Sequence, residues 1–184
     1  MENLIGHFLL STPQMPDPRF REQVIFMCVH NTEGAMGLVI NNPNPAITMH
    51  EVLQGINISV SAGQLPPVYI GGPVEMEAGF ILYRSPTAKD PYAMAIDNDI
   101  RLSRNANLLA AIARGGGPEE YLFMLGYAGW GPGQLEHELI DNSWLIVPGN
   151  LEILFHTPDE LKWKKAAFQY GIDIALFGNV TGTA

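Results

Sequence analysis

A mixed α+β fold in one domain is what this chain predicts, on three observations. Its first third carries apolar runs of strand length. Its second half alternates such runs with helix signals. No internal repeat, linker or low-complexity stretch divides the 184 residues. A doubly wound sheet would alternate from the start. A chain of this length buries roughly 70% of its unfolded surface in one domain. With 47% hydrophobic and 16% charged residues it is globular rather than disordered. Nineteen glycines and fourteen prolines call for many turns and short elements.

Each element has its own warrant. Residues 7–11 are a short apolar strand, and the three prolines in residues 12–18 remove backbone donors, which makes that stretch a loop. Residues 23–30 are a strongly apolar strand, and residues 35–41 are the next. Asn31-Thr32-Glu33-Gly34 joins them in a hairpin of about four loop residues. The first of these runs is continuous rather than alternating, so it should be covered on both faces. Thr48 and Glu51 form a capping box for a short helix with Met49, Val52 and Leu53 on its apolar side and Gly55 at its end. After a loop over 56–67, residues 68–71 make a short strand into the turn Gly71-Gly72-Pro73. Residues 79–84 and 92–97 are further strands.

Ser103 is placed to cap a second helix that buries Leu108, Leu109, Ile112 and Ala113 and stops at Gly115-Gly116-Gly117-Pro118. Residues 120–126 read as a strand, 132–141 as a helix and 143–147 as a strand, with 152–156 as a last short strand. Thr157-Pro158-Asp159-Glu160 supplies a cap, a first-turn proline and a capping-box glutamate for a closing helix that runs to about Tyr170. Residues 178–184 are polar and read as a loose tail.

The net charge is −9 with only ten Lys and Arg, which makes nucleic acid an unfavoured partner, because phosphate binding needs cations to displace counterions. Lys162, Lys164 and Lys165 form the one cluster and read as the solvated face of the closing helix. Cys28, the single cysteine, excludes an intramolecular disulfide and reads as a buried, inert thiol. A nucleophilic Cys28 would need His30, two residues away on the same strand face, as its base. The N-terminus has no signal-peptide pattern, and no run approaches 18 apolar residues, so neither export nor a membrane span is expected. The expected compartment is the cytoplasm.

No motif on the chain specifies a reaction. Residues 126–134, glycine-rich between strand and helix, are the likeliest site. Read from Gly129, the dinucleotide pattern G-x-G-x-x-G meets Gln134 at its last glycine; read from Gly131 it meets Glu136. A phosphate loop needs lysine where Gln134 stands. What is left is either a tight turn permitted by Gly126, Gly129, Gly131 and Gly133, or a small-ligand or anion pocket at the helix start. Trp130 is then either an anchor packed on the sheet or an exposed lid and partner site. Glu138 and Asp141, three apart, share a helix face that reads as solvated. The histidines are dispersed without metal-ligand spacing, so no metal or cofactor is expected; His7 and His30 are the pair a fold could bring together. No G-x-S-x-G elbow is present.

These blocks carry a resemblance. Leu4–Leu10, Asp17-Pro18-Arg19-Phe20, Val24–His30, Gly34–Asn41, Gly71-Gly72-Pro73-Val74, Gly79-Phe80, Gly126-Tyr127-Ala128-Gly129-Trp130, Gly133-Gln134-Leu135-Glu136, Trp144-Leu145 and Ile153-Leu154-Phe155 with Thr157-Pro158 resemble the AlgH/YqgE family of small bacterial proteins. The resemblance spans nearly the whole chain. It implies a bent, partly barrel-like mixed sheet flanked by helices, and a molecular function largely unassigned. The label "transcriptional regulator" attached to that family derives from a proposed role in alginate synthesis; no helix-turn-helix accompanies it here, and the charge opposes direct DNA binding. The chain departs from the family pattern at its tail, Thr181-Gly182-Thr183-Ala184, at Glu77-Ala78, and at Asn105, where an aspartate is expected.

Two functional readings follow. One is a non-catalytic regulatory or interaction protein with a protein partner, a homo-oligomer included. The other is a small-molecule binder or enzyme using the turn at 126–134. The candidate binding or interaction surface is Tyr127, Trp130, Gln134 and Glu136, with His7 and His30; no residue is assigned a catalytic role.

Overall fold

The continuous apolar run becomes a strand whose first five residues are buried. The computed structural model describes residues 3–61, 63–85 and 91–172. Strand β1 spans His7–Ser11, β2 Val24–Asn31 and β3 Gly34–Val39. Val24 to Cys28 are all buried, as a continuous run requires. Ile25 and Met27 enter a core with Leu9 and Val39, and Phe26 meets Phe8 edge-on at 5.8 Å. The chain folds as two compact units, one built from the segments before Asn42 and after Tyr127, the other from Asn42–Tyr127.

In the first unit β1 lies antiparallel between β2 and β9 (Trp144–Pro148), and β3 pairs antiparallel with β2. A bulge between Met27 and Val29 shifts the β2–β3 register, after which His30 sits opposite Ala35. Strand β8 (Tyr121–Trp130) contributes its last residues here: Ala128, Gly129 and Trp130 pair with Gly37, Met36 and Ala35. Helix α3 (Gln134–Ile140) and helix α4 (Asp159–Gln169) complete this unit.

In the second unit the antiparallel order is β6 (Ala93–Ala95), β7 (Ile100–Ser103), β5 (Val74–Arg84) and β8; β4 (Val68–Ile70) joins β8 in parallel, which makes the sheet mixed. A register shift between Val74 and Gly79 bends the β5–β8 ladder. Helices α1 (Met49–Gly55) and α2 (Ala106–Ala113) bury Met49, Leu53, Leu109, Ile112 and Ala113 against Val68, Ile81 and Phe123. This is the α+β class the apolar pattern predicts.

Several local expectations are corrected. The β2–β3 hairpin turns through Thr32 and Glu33 alone, with Asn31 Oδ1 accepting from the Glu33 N–H at 2.8 Å. The Thr48–Glu51 capping box is present and α1 ends at Gly55 as expected, with Asn57 (φ 59°) taking the left-handed position just beyond the cap. Strand β7 takes Ser103, whose Oγ accepts from the Asn105 N–H; Asn105 itself caps α2 by accepting from Asn107 at 2.9 Å. Glu152–His156 is a π-helical turn rather than a strand, because a five-residue apolar run carries no period that separates the two. Thr157 does not cap α4; its hydroxyl donates to the Glu152 carbonyl at 2.9 Å. The polar tail 178–184 lies outside the described residues.

The lysine cluster divides. Lys164 and Lys165 are exposed, while Lys162 is 2% exposed and donates to the Ile40 carbonyl at 2.7 Å and to Asp159 at 2.9 Å. Burial holds its ammonium below the ordinary lysine value of 10.5. The folded state therefore sheds this proton before the unfolded chain does, and the cost of the buried charge is relieved as pH rises toward 10.5. Lys162→Ala should lower stability by about 3 kcal/mol, since it empties a packed volume and leaves a carbonyl and a carboxylate short of a donor. Lys162→Met, which keeps the stem, should lose roughly half of that; urea denaturation of both variants measures the difference.

Candidate functional site

The turn at 126–134 is shorter than the glycines suggest. Strand β8 continues to Trp130, so only Gly131, Pro132 and Gly133 lie between strand and helix. Gly133 supplies the left-handed residue (φ 73°) that starts α3. Gly126 is a mid-strand residue and Gly129 an ordinary strand position, and Pro132 precedes the helix rather than opening it.

Trp130 is 7% exposed, an anchor and not a lid. Its indole Nε1–H donates to Glu138 Oε2 at 2.9 Å, and the Trp144 indole donates to the same oxygen at 2.7 Å. The two indoles meet edge-on at 6.1 Å, and Phe20 packs on Trp144 at 5.6 Å. Glu138 Oε1 accepts from Gln134 Nε2 at 2.9 Å, and Gln134 Oε1 accepts from the Gly131 N–H at 3.1 Å. So the face read as solvated holds a carboxylate bound by three donors; only Asp141, paired with His137 at 3.6 Å, is solvated as expected. Glu138 and Trp144 are the residues sequence reasoning left out of the site. The available signal was the Gln134–Glu138 spacing of four on one helix face.

His30 and Glu136 form the second constellation. The Leu4 N–H reaches His30 Nδ1 at 3.2 Å, so Nδ1 accepts and carries no proton. Nε2 is then the protonated nitrogen and donates to Glu136 Oε1 at 3.0 Å. That hydrogen bond is the main reason the Glu136 carboxyl sits below its ordinary 4.5; a bond from its own backbone N–H adds to it. The Glu136 carboxylate thus occupies the anion position at the start of α3. Its contribution to stability is fully present above pH 4.5 and is lost as pH falls through its lowered folded value. Glu136→Gln should flatten that acid limb while leaving the protein folded at neutral pH; stability measured from pH 6 down to about pH 3 checks it.

The remaining candidates make other contacts. His7 pairs across to Pro148 and its Nδ1 donates to the Ile5 carbonyl at 3.3 Å, whereas His30 pairs with Ala35. Tyr127 belongs to the other unit, where its hydroxyl reaches Glu75 at 3.5 Å and its ring meets Phe80 at 5.9 Å. Cys28 is buried, which pushes its thiol far up and keeps it out of the reactive thiolate form. Among the described residues no group of three or more His, Cys, Asp or Glu could hold a metal ion. No helix among them is long and apolar enough to cross a membrane.

The arrangement around Trp130 lies inside a matched family signature: the model of the AlgH-like family matches residues 8–175. The chain belongs to the AlgH-like family. A UPF0301 protein of Desulfotalea psychrophila is 49% identical over 182 residues, covering 99% of this chain and 95% of the relative. The solution structure of the AlgH protein from Pseudomonas aeruginosa superposes with a TM-score of 0.78 at 39% identity, covering 99% of this chain and 96% of that one. A crystal structure from Corynebacterium diphtheriae shares the fold at a TM-score of 0.76 and 19% identity, over 96% of this chain and 92% of that one.

Proposed function

We propose that this AlgH-like chain is a non-catalytic regulatory or protein-interaction protein of the cytoplasm. The observation that carries the reading is how α3 divides its side chains. The polar groups that could do chemistry, Gln134, Glu136 and Glu138, are bonded within the fold. Its outer side leaves Ile140 76% exposed, three residues from His137 and next to Asp141. An exposed branched aliphatic beside a histidine–carboxylate pair suits a protein partner better than a reaction.

The test compares proteins recovered from cell extract with the unmodified chain and with Ile140→Asp. A defined partner should fall by at least about tenfold with the variant, as when an interface anchor is lost, while the melting temperature is unchanged. Equal recovery would count against the helix α3 interface, and turnover found in a substrate screen would count against the non-catalytic reading. A small-molecule or enzymatic use of residues 126–134 is less supported, because the side chains of Gln134 and Glu136 are already committed. Direct DNA binding is the least supported, given the charge of −9.

A further inference from the structure

Most cations among the described residues are engaged. Among the described residues Arg19, Arg84, Arg104, Lys162 and Lys165 each face a carboxylate, and Arg101 donates to backbone carbonyls. Arg21, Arg114 and Lys164 have no such contact among those residues, and two of the three, Arg21 and Lys164, line one cavity of about 480 Å³ in the first unit. Met15, Pro18 and Trp163 form apolar wall, and Glu22 is the one carboxylate on the lining. The volume falls within the usual range for small-ligand sites, roughly 300–1,000 Å³.

The walls are held in place before any ligand arrives. The Trp163 indole donates to the Ser11 carbonyl at 3.0 Å. Thr12 binds the Ser143 carbonyl through its N–H at 3.0 Å and the Asn142 carbonyl through its hydroxyl at 2.6 Å. Glu22, at φ 52°, holds a left-handed conformation that an L residue with a long side chain adopts at a cost, and its carbonyl accepts from Asn41 at 3.0 Å. A fixed apolar wall beside two cations that face no carboxylate within ion-pair distance selects an anion with an apolar body, through local charge that acts against the net −9 of the chain.

We infer that this cavity binds a small organic carboxylate, its apolar body against Trp163 and Met15 and its charge between Arg21 and Lys164. It is a separate site from the proposed α3 interface and does not depend on it. The test is a titration of the full chain with 4-phenylbutyrate, followed by the three indole N–H signals in 15N-edited NMR spectra. The Trp163 signal should shift along a saturable curve while those of Trp130 and Trp144, tied to Glu138, stay in place. The Arg21→Glu, Lys164→Glu double variant should weaken binding at least tenfold, Arg114→Glu should leave it unchanged, and neutral 4-phenylbutanol should bind at least tenfold more weakly. No saturable shift of Trp163 at millimolar probe, or an unchanged affinity in a folded double variant, or equal binding of the alcohol, overturns the inference.

Discussion

Glu138→Ala is expected to lower the stability of the fold by about 2–5 kcal/mol. The indoles of Trp130 and Trp144, 7% and 4% exposed, both donate to one oxygen of this carboxylate. Removing it leaves two donors without an acceptor, and each such group costs about 1–3 kcal/mol. Glu138→Gln should lose less, about 1–2 kcal/mol, because its amide oxygen can still accept while its NH2 meets other donors. For a chain of this size each kcal/mol moves the melting temperature by roughly 2–4 °C, so calorimetry separates the two variants. A double-mutant cycle with Trp130→Phe, which keeps the ring and removes its N–H, should show coupling above about 0.5 kcal/mol. If Glu138→Ala melts within 1–2 °C of the unmodified protein, the carboxylate is not the keystone of this cluster.

Gly126→Ala is the second large effect, at about 2–4 kcal/mol. Gly126 is held at φ 71° opposite the irregular stretch of β5, and an added Cβ would run into the Gly72 carbonyl oxygen and lie 3.0 Å from that of Val74. The left-handed backbone alone costs alanine about 1–2 kcal/mol, and both obstructions are main-chain atoms that cannot rotate away. Gly133→Ala is the internal control. Gly133 has nearly the same φ, 73°, with nothing within 4 Å of an added Cβ, so it should lose only about 1 kcal/mol. Equal losses at the two positions, measured by chemical denaturation, would show that backbone conformation and not crowding governs both.

The contrast between these two glycines marks how far the chain could be read unaided. Both belong to one glycine-rich stretch, and both read as turn residues. One is a turn residue and the other bends a strand, because neighbouring backbone, absent from any local window, decides which. Trp130 is the same case. Flanked by glycines it reads as part of a loop, yet pairing with Ala35 extends β8 through it. Strand β7 went unread for a related reason: four residues ending in Ser103 look like an approach to a helix cap until β5 and β6 pair with them.

Lys162 and Glu138 went further astray. Single-residue chemistry assigns a lysine and a glutamate on helices to solvent, and that holds for Lys164 and Asp141. It fails where the tertiary fold supplies partners strong enough to offset desolvation: a carbonyl and a carboxylate for the lysine, two indoles and an amide for the glutamate. The α+β class, the buried run of β2, the capping box of α1 and the inert Cys28 all follow from short-range pattern and composition, which travel with the chain whatever it packs against. The destination of each polar side chain does not. His30 with Glu136, the indole pair on Glu138 and the two unneutralised cations beside Trp163 bring together residues distant in sequence or set apart by a turn, and only the packed fold sets those distances.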